Sequence, residues 1–327
     1  MAFVKPEMLF KKAYQEGYAL GAFNVFNMES AQAVLGAAQM EKSGVIVQVS
    51  MGARKYVGDI NVFLSLVKMM AEHLEVPVCI HHDHCSDFEI CKNSIDAGFA
   101  SVMIDGSKLP FKENIQLVRK VADYAHKKGV WVEAELGSLP GFEDDFFSEE
   151  NQYTNPDDVV EFVRESNCDS LAIAVGTSHG GVKADQDLQI DMKRLQEITN
   201  NLPGYPLVLH GGASITPGYI DTINHYGGKV EYMKNVPEHL IRETVRLGVC
   251  KVNMDVDNFN ACTAALRRYM AENPAIYDPR KYMAVGREAF MNEVRHKMRE
   301  VVLSSGRYKT SGSNIDSGKN IRTVDHD

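Results

Sequence analysis

Eight short apolar runs, each followed by a longer stretch of helical period, constrain this chain more than any other feature of its sequence. The runs are Ala19–Val25, Val45–Ser50, Pro77–His82, Ala100–Asp105, Val130–Leu136, Ser170–Gly176, Pro206–His210 and Val249–Met254. They are rich in β-branched residues and short enough to be strands. Between them, Ser30–Glu41, Phe63–His73, Lys112–Lys128 and Asp157–Glu165 carry amphipathic spacing. Asn155-Pro156-Asp157-Asp158 reads as a helix start, with proline early and carboxylates in the first turn. Gly44, Gly98, Gly129 and Gly248 fall where left-handed helix caps are expected, just before the next strand. Eight strand–helix units with right-handed crossovers close most naturally into a (β/α)8 TIM barrel. An open doubly wound sheet shares the alternation, but its G-x-G-x-x-G fingerprint after the first strand is missing. We therefore expect an α/β chain in which residues 1–305 form one barrel domain. Residues 306–327, polar and rich in Ser and Gly, read as a loosely ordered tail.

Charge and composition remove other classes. A formal net charge of -9, with no basic cluster interleaved with aromatics, argues against nucleic acid or a membrane surface as partner. No apolar run approaches transmembrane length. The N-terminal MAFVKPEMLFKKAYQEG looks amphipathic and lacks the apolar stretch and cleavage site of a signal peptide. The six cysteines lie mostly inside apolar segments and form no CxxC, which fits reduced thiols in the cytoplasm.

Reactive side chains gather at the ends of the apolar runs. The third ends in His81-His82-Asp83-His84 and the fifth carries Glu133-Ala134-Glu135. The sixth leads into Gly176-Thr177-Ser178-His179-Gly180, the seventh into His210-Gly211-Gly212, and the eighth ends in Asn253-Met254-Asp255. In a barrel these groups converge at one mouth, where active sites form. Three histidines from three strands, with a fourth position open, suit a catalytic zinc ion. Strand alternation puts His82 and His84 on one face, so a His-x-His metal pair is a further option. Asp83 is either a structural carboxylate or splayed toward the mouth. Glu133 and Glu135 share a face and, inside an apolar barrel, need a partner or a metal; Asp105 at the end of the fourth run is similar. The glycine pairs at Gly180 and Gly211 are by themselves signs of tight turns. Beside a metal site they suit backbone N–H groups that cradle a phosphate, with Lys183 adding charge.

GAFNV (Gly21–Val25), HHDHC (His81–Cys85), SVMIDGS (Ser101–Ser107), VEAELGSLPGFED (Val132–Asp144), GTSHGGVK (Gly176–Lys183), LVLHGGAS (Leu207–Ser214), KVNMDVD (Lys251–Asp257) and YDPRKYM (Tyr277–Met283) occur in this order. Together they resemble the class II, zinc-dependent fructose-bisphosphate and tagatose-bisphosphate aldolases. The resemblance implies one Zn2+ per subunit, held by His84, His179 and His210, with Asp105 and Glu135 as a secondary metal site or support. It makes Asp83 the group that exchanges a proton with the C4 oxygen, and Glu143 the group that moves the proton on dihydroxyacetone phosphate. Asn24, Ser50, Asn253, Asp255 and Val256 match substrate contacts. Gly180, Lys183, Gly211, Gly212 and Ser214 match the surroundings of the 1-phosphate, with a monovalent cation as a family feature. Asp278 would read the C4 hydroxyl, and Arg280 would meet the far phosphate across a subunit interface in a homodimer or homotetramer.

Cleavage between C3 and C4 leaves an electron pair that needs a sink. No strand-end lysine claims a Schiff-base role, whereas zinc supplies a Lewis acid. The expected reaction is reversible cleavage of a ketose 1-phosphate, fructose 1,6-bisphosphate foremost, to dihydroxyacetone phosphate and an aldehyde. Three positions depart from the resembled pattern: Ala213 where a small hydroxyl residue is usual, Phe259 near a place where several relatives carry arginine, and His82 in place of an apolar residue. They keep neighbouring substrates in view: tagatose bisphosphate, a sulfonated or deoxy ketose 1-phosphate, or an inositol-pathway phosphate. More distant alternatives are a barrel metallohydrolase using His82-x-His84 and a non-catalytic aldolase subunit.

Overall fold

The computed structural model describes residues 3–308 except 86, 144, 145, 149–151, 181 and 184–188, with backbone alone at 142, 143, 146–148, 182, 183 and 234. Eight of its strands are β1 (Leu20–Asn24), β2 (Val45–Val49), β3 (Val78–Cys85), β4 (Ser101–Ile104), β5 (Trp131–Leu136), β6 (Ser170–Ile173), β7 (Leu207–Leu209) and β8 (Val249–Met254). Each pairs in parallel with its sequence neighbours, and β8 returns to β1, so the sheet closes into a barrel. Seven of the eight expected apolar runs contain their strand whole, whereas β3 begins inside Pro77–His82 and runs three residues past it to Cys85. Helices on the outside cover the barrel, which is why β1, β2 and β4 are buried along their whole length instead of alternating. Outward-facing Val, Ile and Leu pack with residues such as Leu64, Val118 and Phe290 in one continuous core. Each such side chain contributes about 1.5–3 kcal/mol through burial.

Local chemistry sets the helix ends. Met28–Glu41 starts at Asn27, whose side chain accepts from Ser30 N at 2.8 Å while Ser30 Oγ accepts from Asn27 N at 3.1 Å. It ends on Lys42, left-handed at φ 51°, and not on Gly44 as the sequence suggests. The expected starter Asn155–Asp158 is instead a turn, because the Asn155 side chain accepts from Asp157 N and donates to Asp158; the helix begins at Val159. Gly98, Gly129 and Gly248 do take positive φ.

The helix α1 (Pro6–Glu16) lies against the N-terminal ends of the strands. Leu9, Phe10 and Ala13 form a second cluster there with Leu20, Ile46, Cys79 and Cys250. Phe10 stacks on Trp131 at 5.2 Å between centroids. Residues 306–308 fold back on Met28–Glu41, Gly306 N donating to Glu41 O and Tyr308 N to Lys42 O. The remainder of the expected tail, 309–327, lies outside the described residues. All six cysteines are free thiols, and no described helix is long and apolar enough to cross a membrane.

Candidate active site

The mouth at the C-terminal ends of the strands takes its shape from an irregularity in β3. Pairing with β4 slips between His82 and Cys85, and His84 adopts φ 44°. That twist breaks strand alternation. His81, Asp83 and His84 all join the interior network, while His82 is turned to the helix side. There His82 Nδ1 lies 2.8 Å from Ser94 Oγ, which accepts from Arg54 Nη1 at 2.6 Å, and the ring leans on Phe99. Burial, with the Arg54 charge behind it, pulls the His82 pKa down to about 3. The His82-x-His84 metal pair therefore does not form, and with it goes the observation that favoured a metallohydrolase.

His84, His179 and His210 do meet. One ring nitrogen from each lies within 4.8 Å of the others. His210 Nε2 lies 3.0 Å from Glu133 Oε1, and a proton donated there would leave the Nδ1 lone pair for a metal ion. Nδ1 sits 3.3 Å from Glu135 Oε2, and neither buried atom finds a hydrogen-bond partner among the described residues. This buried nitrogen and carboxylate oxygen suit a cation between them, either a proton or a metal ion. Asp105 Oδ2, 3.4 Å from His84 Nδ1, and Glu135, 4.0 Å away, form an adjoining group of possible ligands. Three imidazoles with carboxylates at hand fit zinc.

A third acidic group, His81 with Asp83 and Glu133, already holds a cation of its own. Lys251, 1% exposed, donates Nζ to both Glu133 oxygens at 2.8 Å and lies 3.3 Å from His81 Nε2. This ammonium is a layer below the cleft and lines none of it, so it offers no amine to a substrate carbonyl. Burial pushes the Glu133 carboxyl up, but Lys251 and His210 outweigh it and hold the pKa at about 2. For Glu135 burial wins, helped by Asp105, and its pKa is raised. Burial likewise opposes ionisation of Asp83, yet His84, His81 and Lys251 hold its pKa well below the carboxylate range.

Of the residues singled out in the sequence, Asn24, Ser50, Asp83, Gly180, Gly211, Asn253 and Asp255 line the cleft, beside His84 and His179. Asp83 accepts from Gln48 Nε2 at 2.7 Å and from Asn253 Nδ2 at 3.2 Å. Gln48 also donates to Asn24, and Asn24 to Asp255 at 3.4 Å. Gly211, at φ 61°, passes so close to Ser178 that an added Cβ would stand 2.6 Å from its carbonyl oxygen. Gly212 packs on Val252, below the lining. Ser214 is set back, its N–H donating to Asp257 and its carbonyl accepting from Lys297. Val256 N, at the helix start, donates to Asp255 Oδ1. Asp278 and Arg280 pair with each other at an exposed helix start and do not reach the cleft within this chain. The side chains of Glu143 and Lys183 lie outside the described residues. Sequence reasoning passed over Gln48 and Lys251. The one polar residue in VIVQV was the available signal for Gln48.

The loop after β5 closes over this arrangement. His179 N donates to Pro140 O at 2.9 Å, as does Ser178 Oγ, and Gly141 bridges to His179. Glu143 follows in a short strand, Gly141–Glu143, paired antiparallel with Phe146–Ser148. The loop and His179 are thus one unit.

Comparison with known proteins places the chain among relatives of one family. The family described as "Fructose-bisphosphate aldolase class-II" matches residues 4–307. A fructose-bisphosphate aldolase of Treponema pallidum is 40% identical over 328 residues, covering 94% of this chain and 98% of that one. One from Giardia intestinalis is 42% identical over 280 residues, covering 85% and 86%. Among solved structures, the YdjI aldolase of Escherichia coli K12 superposes with a TM-score of 0.75 at 27% identity, covering 94% of this chain and 100% of that one.

Proposed function

We propose that the chain, which belongs to the class II fructose-bisphosphate aldolase family, reversibly cleaves fructose 1,6-bisphosphate to dihydroxyacetone phosphate and glyceraldehyde 3-phosphate. The observation that carries this reading is the convergence of three imidazole nitrogens within 4.8 Å beside a carboxylate that amides hold in place. His84, His179 and His210 would hold a zinc ion, which would supply Lewis-acid chemistry at the C2 carbonyl. Asp83 takes the proton from the C4 hydroxyl as the C3–C4 bond breaks and C4 becomes the aldehyde carbon. Glu143 then delivers a proton to C3, completing dihydroxyacetone phosphate; in the condensation direction both transfers reverse. Asn253 and Asp255 hold the ketose. Gly180, Gly211 and Lys183 meet the 1-phosphate, where the family resemblance also brings a monovalent cation.

Arg280, 89% exposed and spent on Asp278 within its own chain, belongs in this reading to the neighbouring subunit's site in a homodimer or homotetramer. Six free thiols fit work in the reducing cytoplasm. The test is metal exchange. Treatment with EDTA is expected to abolish cleavage and zinc to restore it. Turnover that survives thorough stripping, or a substrate trapped on lysine by borohydride, overturns the mechanism.

A further inference from the structure

Behind the wall that carries Gly211 and Asp255, an ammonium group is buried without touching the cleft. It belongs to Lys297, which follows the helix Pro279–His296 where the helix widens into a π turn, Lys297–Val301. Val302 N there donates to Lys297 O at 3.0 Å, five residues back. Wide turns of this kind are rare and recur at functional sites. Lys297 Nζ donates to Ser214 O at 2.9 Å and to Glu238 Oε1 at 3.0 Å. It also lies 3.1 Å from Asp257 Oδ1 and 3.3 Å from Glu293 Oε1. The same Asp257 oxygen accepts from Ser214 N at 2.8 Å, and Tyr219 Oη donates to the other oxygen of Glu293 at 2.6 Å.

Two of these partners decide what the ammonium does. Ser214 ends the loop after β7, of which Gly211 and Ala213 line the cleft. Asp257 stands in the first turn of the helix Val256–Glu272, two residues past the cleft residue Asp255. One cation therefore grips both loops, by a main-chain carbonyl on the first and a carboxylate on the second. Burying such a cluster is costly, and an apolar side chain of similar volume would hold the helices together at least as well. What apolar contact does not supply is a fixed span, because hydrogen bonds are directional and apolar contacts let surfaces slide. We infer, resting on the aldolase reading, that Lys297 is a positioning residue for the dihydroxyacetone phosphate half of the substrate. It fixes the span between the loops after β7 and β8, across which Gly211 meets the 1-phosphate while Asn253 and Asp255 hold the ketose.

The experiment measures condensation of dihydroxyacetone phosphate with glyceraldehyde 3-phosphate by the zinc-loaded enzyme. Lys297→Met is expected to raise KM for dihydroxyacetone phosphate at least about tenfold, while KM for the aldehyde and the zinc content stay within about twofold. A role in stability alone lowers the unfolding midpoint and moves neither KM. Lys297→Met combined with Asp257→Asn removes one stranded charge and keeps an acceptor for Ser214 N. It serves should the single variant not fold, and the same one-sided rise in KM is expected of it. An unchanged KM for dihydroxyacetone phosphate in a folded variant, or an equal rise for both substrates, overturns the inference and leaves the aldolase reading standing. Zinc-loaded wild-type protein that condenses nothing overturns both.

Discussion

Asp83 owes its readiness to amides on either side, Gln48 at 2.7 Å and Asn253 at 3.2 Å, which orient both oxygens without donating a formal charge. Asp83→Ala is expected to retain zinc, measured by metal analysis, while kcat falls by roughly 10²–10⁴-fold; a fully active variant removes Asp83 from proton transfer. Glu133 sits between Lys251 and His210, and Glu133→Gln leaves a buried ammonium short of its counter-charge. The variant is expected to lose about 3–5 kcal/mol in denaturant unfolding and about 10–100-fold in zinc affinity by chelator competition. Native-like zinc affinity would show that His210 needs no such support. Much of this was readable from residue type. Glu133 and Glu135 alternate around Ala134, and charged groups inside a barrel had to find partners. What could not be read was the φ of 44° at His84, because it depends on how β3 meets β4. Without it, His82 and His84 look like one metal pair.

At the level of elements, the strands were the clearest part of the sequence, since eight β-branched runs have few other uses. Helix ends were harder. A positive φ at Lys42 and a turn at Asn155–Asp158 follow from hydrogen bonds that several residue types satisfy. The loop after β5 was legible as glycine-rich, but its attachment to His179 was not. Gly141 combines φ 115° with a Cβ position only 2.1 Å from His179 O. Gly141→Ala must therefore push the loop and His179 apart. The expected result is a fall in kcat of at least tenfold with weaker zinc retention and an unchanged far-ultraviolet dichroism spectrum. Wild-type kinetics in this variant would mean that the loop and His179 move independently.

Across the whole molecule, burial of thiols gives stability an alkaline limit. Burial pushes Cys79 and Cys250 from near 9 up to about 12, and Cys168 to about 11. An acid whose folded pKa is raised stays protonated in the native state while the unfolded chain gives up its proton. Stability is thus intact below about pH 9 and falls as pH rises from there toward 11 or 12, by up to about 1.4 kcal/mol per pH unit for each thiol. The guanidinium midpoint is expected to drop between pH 8.5 and 10.5, less steeply in Cys79→Ala. A flat midpoint contradicts the burial of these groups. The closed barrel itself was legible because a parallel sheet of eight strands with helical crossovers leaves few alternatives. The Lys297 network was not, since Ser214, Glu238 and Asp257 lie far from it in sequence and only closure brings them together.

Trp131, the chain's single tryptophan, is pinned under Phe10 of α1 at the end of the barrel away from the chemistry. Its Nε1–H is engaged by Ser170 Oγ. Intrinsic fluorescence excited at the indole band is consequently blind to ligand docking and reports the lifting of the N-terminal helix from the floor. A titration by emission that stays silent says nothing about affinity, while a red shift during denaturation times the opening of the bottom of the barrel.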